Sequence, residues 1–322
     1  MGIDDRLEID SGAEISSQEL LGLDELLERS RQGTPADDLR ELRAFLVRMP
    51  MLGPYNAALV QVQRPGAHYV ADRATWAREF HRRVLPGARP LIILRPFAPV
   101  DLVYDIADTD GAPVPDRALH PFRLDGEVTE QGLAAFTALL PREGILCREE
   151  ELGSQQAGSV QAVEPPLLRG TGPRAIAIRH SVVVGTHLDP TARLVTVFHE
   201  LAHVFARHVD HHTRTGVRPA RPLSRRSQEF EAEIAAWLVA ARLGIESPAG
   251  EYLAGYVDED GSVPPYSLQA VVSAAGRIES VAGGLEKLAR LAGLGREEAP
   301  HGPAPQQGAL DLDLLTPPEP ER

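Results

Sequence analysis

The stretch from Thr196 to His203 contains the pattern His-Glu-x-x-His, formed by His199, Glu200 and His203. If this stretch is helical, residues four apart lie one turn above each other, so both imidazoles can bind one divalent metal ion. Glu200 lies about 100° further round the helix and can reach a water molecule on the open side of the metal. The pattern therefore predicts one Zn²⁺ ion held by the two histidines, with Glu200 as the catalytic base.

The residues around this pattern predict a buried helix. Asp189 and Pro190 are typical of a helix N-cap and first turn, and no Gly or Pro occurs between residues 191 and 208. Apolar residues occupy almost every face of this segment, which is typical of a buried helix. Buried histidine and glutamate side chains need polar partners, and a metal ion would supply one. The alternative is that the pattern arises by chance among the 11 histidines of the chain.

A catalytic zinc site needs a third protein ligand and an open fourth position. The next predicted helix, from Ser227 to Gly244, offers three glutamates, of which Glu229 and Glu233 share a face while Glu231 points away. We predict that Glu229 is the third ligand and that Glu233 orients a ligand histidine through its other ring nitrogen. The reverse assignment stays open. A solvated acidic helix face is a further alternative, and it accounts best for Glu231.

These two motifs resemble a known family. His199-Glu-Leu-Ala-His203 and Glu229-Phe-Glu-Ala-Glu233, with the run Ala-Ala-Trp-Leu-Val-Ala-Ala-Arg-Leu-Gly-Ile that follows, are similar to the ImmA/IrrE-like and ArdC-like zinc metallopeptidases over about residues 174–280. In those families the first Glu of an E-x-x-A pattern completes the zinc site, and the resemblance carries this role over to Glu229. It also implies a small gluzincin-like domain that cleaves a protein or peptide substrate.

Two further features bear on a peptidase site. Tyr252 and Tyr256 follow the second metal helix, and either hydroxyl could stabilise an oxyanion if it faced the metal. Residues 175–185 form a clear apolar strand before the first metal helix. We expect it to be an edge strand that aligns an extended peptide by β-augmentation.

The remaining histidines and the single cysteine are predicted to be structural. We expect His180 and His187 to be surface or structural residues, because three ligands are already supplied. His208 lies five residues after His203 and off the ligand face of a helix, so we predict a cap at the helix C-terminus. Cys147 is the only cysteine, which excludes an internal disulfide, indicates a reducing cytosol and predicts a small buried residue on a strand.

Hydropathy and charge narrow the possible partners. No apolar run approaches the ~18–20 residues that a membrane span needs, and the acidic N-terminus has no signal-peptide core. We therefore expect a cytoplasmic protein without membrane association. The net charge of −13 argues against a protein whose surface is basic throughout and binds nucleic acid.

One segment is nevertheless rich in arginine. Residues 64–95 contain seven arginines interleaved with aromatic residues, and residues 40–125 resemble the N-terminal domain of ArdC-type antirestriction proteins, carried by Pro54-Tyr-Asn-Ala57 and the Pro-Gly-Ala-His-Tyr-Val segment. This resemblance implies binding of single-stranded DNA. The arginines could contact its phosphates, and the aromatic side chains could stack on its bases. The candidate contacts are Arg73, Arg78, Arg82 and Arg83. The alternative is that Trp76 and Phe80 form the core face of a helix while the arginines are solvated.

These observations predict an α+β protein with an N-terminal domain of helices packed on a small sheet and a mostly helical C-terminal metallopeptidase domain with a short sheet. The predicted segments are a flexible acidic start (1–34), an ArdC-like domain (35–152), a linker or hairpin (153–173), the metallopeptidase domain (174–294) and a disordered tail (295–322). The expected function is zinc-dependent hydrolysis of peptide bonds. The alternatives are an ArdC-like single-stranded-DNA-binding antirestriction protein whose zinc site is not primarily proteolytic, and a protein that binds a peptide without cleaving it.

Overall fold

The structure is a computed structural model that describes residues 36–95, 98–114, 124–125, 127–153, 156–170, 175–213, 215–245, 255–258 and 263–296. Within these ranges the protein mixes helices with small sheets, as the predicted α+β class requires. The helices are α1 (Ala36–Arg48), α2 (Pro54–Gln63), α3 (Arg73–Phe80), α4 (Glu130–Thr137), α5 (Pro190–Phe205), α6 (Arg225–Arg242), α7 (Leu268–Val281) and α8 (Leu285–Ala292). The strands are β1 (Val70–Ala71), β2 (Arg82–Val84), β3 (Leu91–Arg95), β4 (Ala98–Asp105), β5 (Thr109–Gly111), β6 (Leu124–Asp125), β7 (Ile145–Glu150), β8 (Gly158–Arg169), β9 (Ile176–Gly185), β10 (His211–Thr213), β11 (Gly216–Arg218) and β12 (Gly295–Arg296).

An antiparallel sheet of order β1-β4-β3 lies in the N-terminal part of the chain. Two side-chain amides of α2 pair with the backbone of β3: Asn56 bonds both N–H and C=O of Leu94, and Gln63 does the same at Ile92, all at 2.8–3.0 Å. A strand edge presents backbone donors and acceptors that need partners. The helix therefore covers this edge with side chains in place of another strand.

A second sheet, of order β7-β9-β8, lies beside the site. β7 runs parallel to β9, and β8 runs antiparallel to it on the other side. The prediction that residues 175–185 form an edge strand is wrong, because β9 has a partner on each side. The segment predicted as a linker or hairpin contains β8, and β8 and the consecutive β9 pair antiparallel with Gly158 opposite Val184.

The two predicted metal helices, α5 and α6, pack against each other. Asp189 caps α5 as predicted, because its Oδ1 accepts a hydrogen bond of 2.9 Å from the Ala192 N–H. α6 begins at Arg225 rather than at the predicted Ser227, since the hydroxyl of Ser224 is the cap and accepts from the Ser227 N–H at 3.1 Å.

Buried charges anchor both helices to the rest of the fold. Arg193 of α5, whose side chain is 8% exposed, pairs with Glu130 of α4 and with Glu149 of β7, the latter at 2.8 Å. Arg242 of α6 pairs with Glu279 of α7 at 2.6 Å. It also donates to the backbone carbonyl of Leu46 in the last turn of α1 (2.6 Å) and to that of Leu52 after this helix (2.8 Å).

Most of the buried apolar residues that the structure describes form one cluster, which runs from Leu39 in α1 to Leu294 after α8 and so includes residues of both predicted domains. The short strand β12 falls within the tail predicted to be disordered, where Gly295 pairs with Asp125 of β6. The start of the chain (1–34) and most of that tail lie outside the described residues. None of the helices that the structure describes is long and apolar enough to cross a membrane.

Candidate metal centre

Three side-chain atoms from α5 and α6 meet at one point. His199 Nε2 lies 3.2 Å from His203 Nε2, and Glu229 Oε2 lies 3.4 Å and 3.5 Å from these two nitrogens. The histidines come together because they are one turn apart on α5. Glu229 comes from the second turn of α6, which packs against α5. This group of one carboxylate and two imidazoles can hold a metal ion.

Glu233 lies one turn further along α6 and contacts the same cluster from the side. Its Oε2 is 3.1 Å from His199 Nδ1, the ring nitrogen opposite the one that faces Glu229. A carboxylate in this position accepts a hydrogen bond from Nδ1–H and leaves Nε2 with a free lone pair. The geometry thus has Glu229 at the converging nitrogens and Glu233 behind His199, as in the first of the two predicted assignments.

The other ligand histidine has a partner that the sequence analysis did not predict. His203 Nδ1 lies 3.0 Å from His208 Nδ1, and His208 Nε2 lies 2.9 Å from Glu231 Oε2. The expectation that the His208 side chain caps the C-terminus of α5 is wrong, because its imidazole contacts His203 and Glu231 instead. The backbone N–H of His208 bonds the carbonyl of His203 at 2.8 Å, and Arg207 before it adopts a left-handed conformation with φ of 62°. The chain changes direction at Arg207, and this change places the side chain of His208 next to that of His203.

Glu231 is likewise not part of a solvated helix face. Its side chain is 0% exposed. Arg221 binds both of its oxygens, at 2.6 Å and 3.1 Å, and the backbone N–H of Ser267 donates to Oε1 at 2.7 Å. Burial of a carboxylate is costly unless charged partners and hydrogen bonds compensate it, and this site provides both.

Glu200 is buried beside the opening of a cleft. The cleft has a volume of about 1050 Å³ and is lined by the start of β8, the exposed side of α5 and the first turns of α6. Glu200 is 7% exposed and lies where the backbone of β8 passes α5. Its carboxyl group and the three converging atoms therefore open into the same space.

The acidic surroundings shift the protonation of the cluster. Burial opposes charge on His199, yet the hydrogen bonds to Glu229 and Glu233 outweigh it and raise the pKa of this imidazole to about 10. Hydrogen bonds from His199 and His203 hold the pKa of Glu229 well below its usual range. Burial raises the pKa of Glu200 to about 7 and lowers that of His203. Three carboxyl groups around two imidazoles form a site that favours a cation.

Of the two tyrosines proposed to stabilise an oxyanion, only Tyr256 lies within the described residues. Tyr252 lies outside the described residues. Tyr256 stacks on Phe230 with ring centroids 5.3 Å apart, and it is not among the residues that line the cleft. Burial, with Glu229 and Glu233 nearby, raises the pKa of the Tyr256 hydroxyl.

His180, His187 and Cys147, which were predicted to be structural, are not among the residues whose atoms converge. His180 is buried on β9 and its Nε2 lies 2.8 Å from the Asp210 carbonyl, whereas His187 is exposed. Cys147 is partly buried on β7. Burial and the neighbouring Glu149 and Glu200 raise the pKa of its thiol to about 12, so it stays protonated at neutral pH.

The four candidate nucleic-acid contacts differ in what they already bind. Arg73 stacks over Tyr104, and Arg82 donates to the carbonyls of Thr109 (2.8 Å) and Ala112 (2.5 Å). Arg78 and Arg83 are exposed.

The aromatic side chains of this segment pack against one another. Trp76 is 0% exposed, packs against Tyr69 and Phe80, and donates from Nε1 to the Tyr104 carbonyl at 2.9 Å. Trp76 is therefore buried, as the alternative interpretation of this helix predicts, and is not available to stack on a base. Phe80 is partly buried against it.

Comparisons of the chain with protein-family models, with curated proteins and with solved structures give no match.

Proposed function

We propose that this chain is a zinc-dependent metallopeptidase that hydrolyses peptide bonds in an extended substrate. The observation that carries the proposal is the triangle formed by His199 Nε2, His203 Nε2 and Glu229 Oε2, with sides of 3.2, 3.4 and 3.5 Å. Ligand atoms about 2.0–2.1 Å from a tetrahedral zinc ion are separated by roughly 3.3–3.4 Å. The three atoms therefore fit one zinc ion without movement of the helices.

The number of ligands supports a catalytic rather than a structural site. Structural zinc sites are closed by four protein ligands, whereas catalytic sites have three and keep a position for water or substrate. Among the described residues the only group found that could hold a metal is His199, His203 and Glu229. The cleft opens directly beside these three side chains.

In this proposal the metal ligands and Glu200 have separate roles in peptide hydrolysis. A bound zinc ion would polarise the scissile carbonyl and lower the pKa of a water molecule. Glu200, next to His199 in sequence and facing the cleft, accepts the proton of the attacking water and delivers it to the leaving amine. A purely structural metal site has no need of a carboxylate in this place.

The start of β8 supplies a way to bind an extended peptide. One edge of this strand pairs with β9, and residues 156–160 line the cleft. The other edge of β8 pairs with no strand in the part of the chain that the structure describes. A peptide that pairs with this edge would gain main-chain hydrogen bonds whatever its side chains are. The role expected of the strand at 175–185 thus passes to β8.

The test combines metal content with hydrolysis of a degenerate fluorogenic peptide library. The wild-type protein should contain one zinc per chain and cleave a subset of peptides. Glu200→Gln should retain zinc and lose cleavage, whereas His203→Ala should lose both. Glu151→Gln is the matched control, because Glu151 is exposed and does not line the cleft.

Two outcomes would overturn the proposal. A Glu200→Gln variant with full cleavage activity would remove Glu200 from its role. One zinc per chain with every peptide left intact, in the library and in unfolded casein, would indicate binding without hydrolysis.

A further inference from the structure

A chain of three buried side chains continues from the metal site into the core. His203 Nδ1 lies 3.0 Å from His208 Nδ1, and His208 Nε2 lies 2.9 Å from Glu231 Oε2. The side chains of His208 and Glu231 are 1% and 0% exposed. No role in metal binding follows from the positions of these two residues in the sequence, since neither lies on the ligand face of a helix.

The direction of every hydrogen bond in this chain follows from the fixed donors at its far end. The guanidinium of Arg221 binds both oxygens of Glu231, and the backbone N–H of Ser267 donates to one of them. Neither group can accept a hydrogen bond, so Glu231 is an ionised acceptor. His208 must then donate to it from Nε2–H.

The same reasoning extends to the ligand itself. A neutral His208 that carries its proton on Nε2 has a bare Nδ1, which can only accept. Opposite a neutral His208, His203 donates from Nδ1–H, and its Nε2 is left with a free lone pair. This is the nitrogen that lies 3.2 Å from His199 Nε2 and 3.5 Å from Glu229 Oε2.

We propose that His208 and Glu231 are positioning residues that hold His203 in the tautomer whose Nε2 faces the metal. The inference rests on the proposed metal site and extends it. His199 is oriented directly by Glu233, at 3.1 Å from its Nδ1, whereas His203 is oriented by Glu231 through an inserted imidazole. Both ligand histidines thus present Nε2, each with a glutamate of α6 at the far end.

The first test measures the zinc dissociation constant by competition with a chromogenic chelator. His208→Leu removes the acceptor for His203 while Arg221 and Ser267 still satisfy Glu231. Loss of an outer partner of a metal-bound histidine typically weakens metal binding by about 10- to 100-fold, and we expect a rise of this size. Glu231→Gln, which keeps the shape and removes the charge, should raise the constant in the same direction.

A second buried carboxylate offers a matched control for general destabilisation. Glu279 pairs with Arg242 at 2.6 Å in the core, and its side chain is 5% exposed. Glu279→Gln should lower the melting temperature of the metal-free protein, as Glu231→Gln should, and leave the zinc dissociation constant unchanged. Equal zinc constants for wild type, folded His208→Leu and Glu231→Gln would overturn the proposal.

The tautomers can be observed without any metal. Long-range ¹H–¹⁵N spectra of the metal-free protein, assigned with single histidine variants, should show His208 protonated on Nε2 and His203 protonated on Nδ1. A proton on His203 Nε2 with Nδ1 bare would overturn the proposal even if His208→Leu failed to fold. Neither the zinc constant nor the tautomer requires hydrolysis. If both agree with the expectations and no peptide is cleaved, the peptidase function is rejected, whereas the positioning role of His208 and Glu231 is retained.

Discussion

Gly158 of β8 lies directly against the carboxyl group of Glu200. A Cβ atom built on this glycine would lie 3.2 Å from Glu200 Oε1 and 2.7 Å from Cγ2 of Thr196. It would also lie 2.9 Å from the carbonyl oxygen of Val183, which cannot move without distorting β9. The absent side chain is what lets the strand approach α5 and enclose the carboxyl group.

We predict that Gly158→Ala lowers kcat without removing zinc. The added methyl group must displace β8 or the side chains of α5, and a displacement of about 1 Å at a reacting group can cost about 100-fold in rate. The measurement is turnover of a peptide cleaved by the wild type, together with metal content. Gly153→Ala is the control, because a Cβ there meets nothing within 4 Å. Wild-type turnover in Gly158→Ala would show that this contact does not constrain Glu200.

We predict that Glu229→Gln weakens zinc binding more than Glu233→Gln does. Glu229 Oε2 lies within 3.5 Å of both ligand nitrogens, so its charge acts on the metal directly. Glu233 contacts only the Nδ1 side of His199, and its loss should raise the dissociation constant by about 10- to 100-fold. Chelator competition measures both constants under one condition. The opposite order would make Glu233 the ligand and Glu229 the orienting group.

The ligand set was predictable because it depends on local spacing. His199 and His203 are one helical turn apart whatever the tertiary fold is, and Asp189 and Pro190 mark where the helix begins. The choice of Glu229 depended on the resemblance as well as on spacing.

The surroundings of His208, Glu231 and β9 were predicted wrongly because they depend on contacts that spacing does not encode. Arg207 ends α5 in a left-handed conformation, for which glycine is the usual sequence signal, so the turn that returns His208 to His203 was not visible. Glu231 points away from the ligand face as expected, but its partners come from three distant segments. Likewise, the neighbours of a strand are set by pairing between segments far apart in sequence.

We predict that Arg82→Ala destabilises the fold and that Arg83→Ala does not. Arg82 donates to the hydroxyl and the carbonyl of Thr109, both at 2.8 Å, and so joins β2 to the first residue of β5. Arg83 is 83% exposed and pairs with Asp110 at 3.6 Å, and exposed pairs contribute little. The expected losses in the free energy of unfolding are about 1–2 kcal/mol for Arg82→Ala and within about 0.5 kcal/mol for Arg83→Ala.

Urea unfolding of the two single variants measures this difference. It also decides how a DNA-binding test of this face should be designed. If Arg82→Ala is destabilised as predicted, loss of binding in that variant would report unfolding, and Arg78→Ala with Arg83→Ala is the cleaner pair. Equal stability of both single variants would contradict the structural role of Arg82.

We predict that acid destabilises the fold partly through His211, whose Nε2 is buried without a hydrogen-bond partner among the described residues. Burial, together with the nearby His180, Arg207 and Arg218, lowers the pKa of its imidazole to about 4. The unfolded chain binds a proton at about pH 6.5 that the folded chain does not, so the free energy of unfolding is highest above that pH and falls as the pH drops toward 4. Urea unfolding between pH 7.5 and 5 should show a shallower loss in His211→Gln than in wild type or in the exposed control His187→Gln. Parallel curves for all three proteins would exclude His211 as a source of the acid sensitivity.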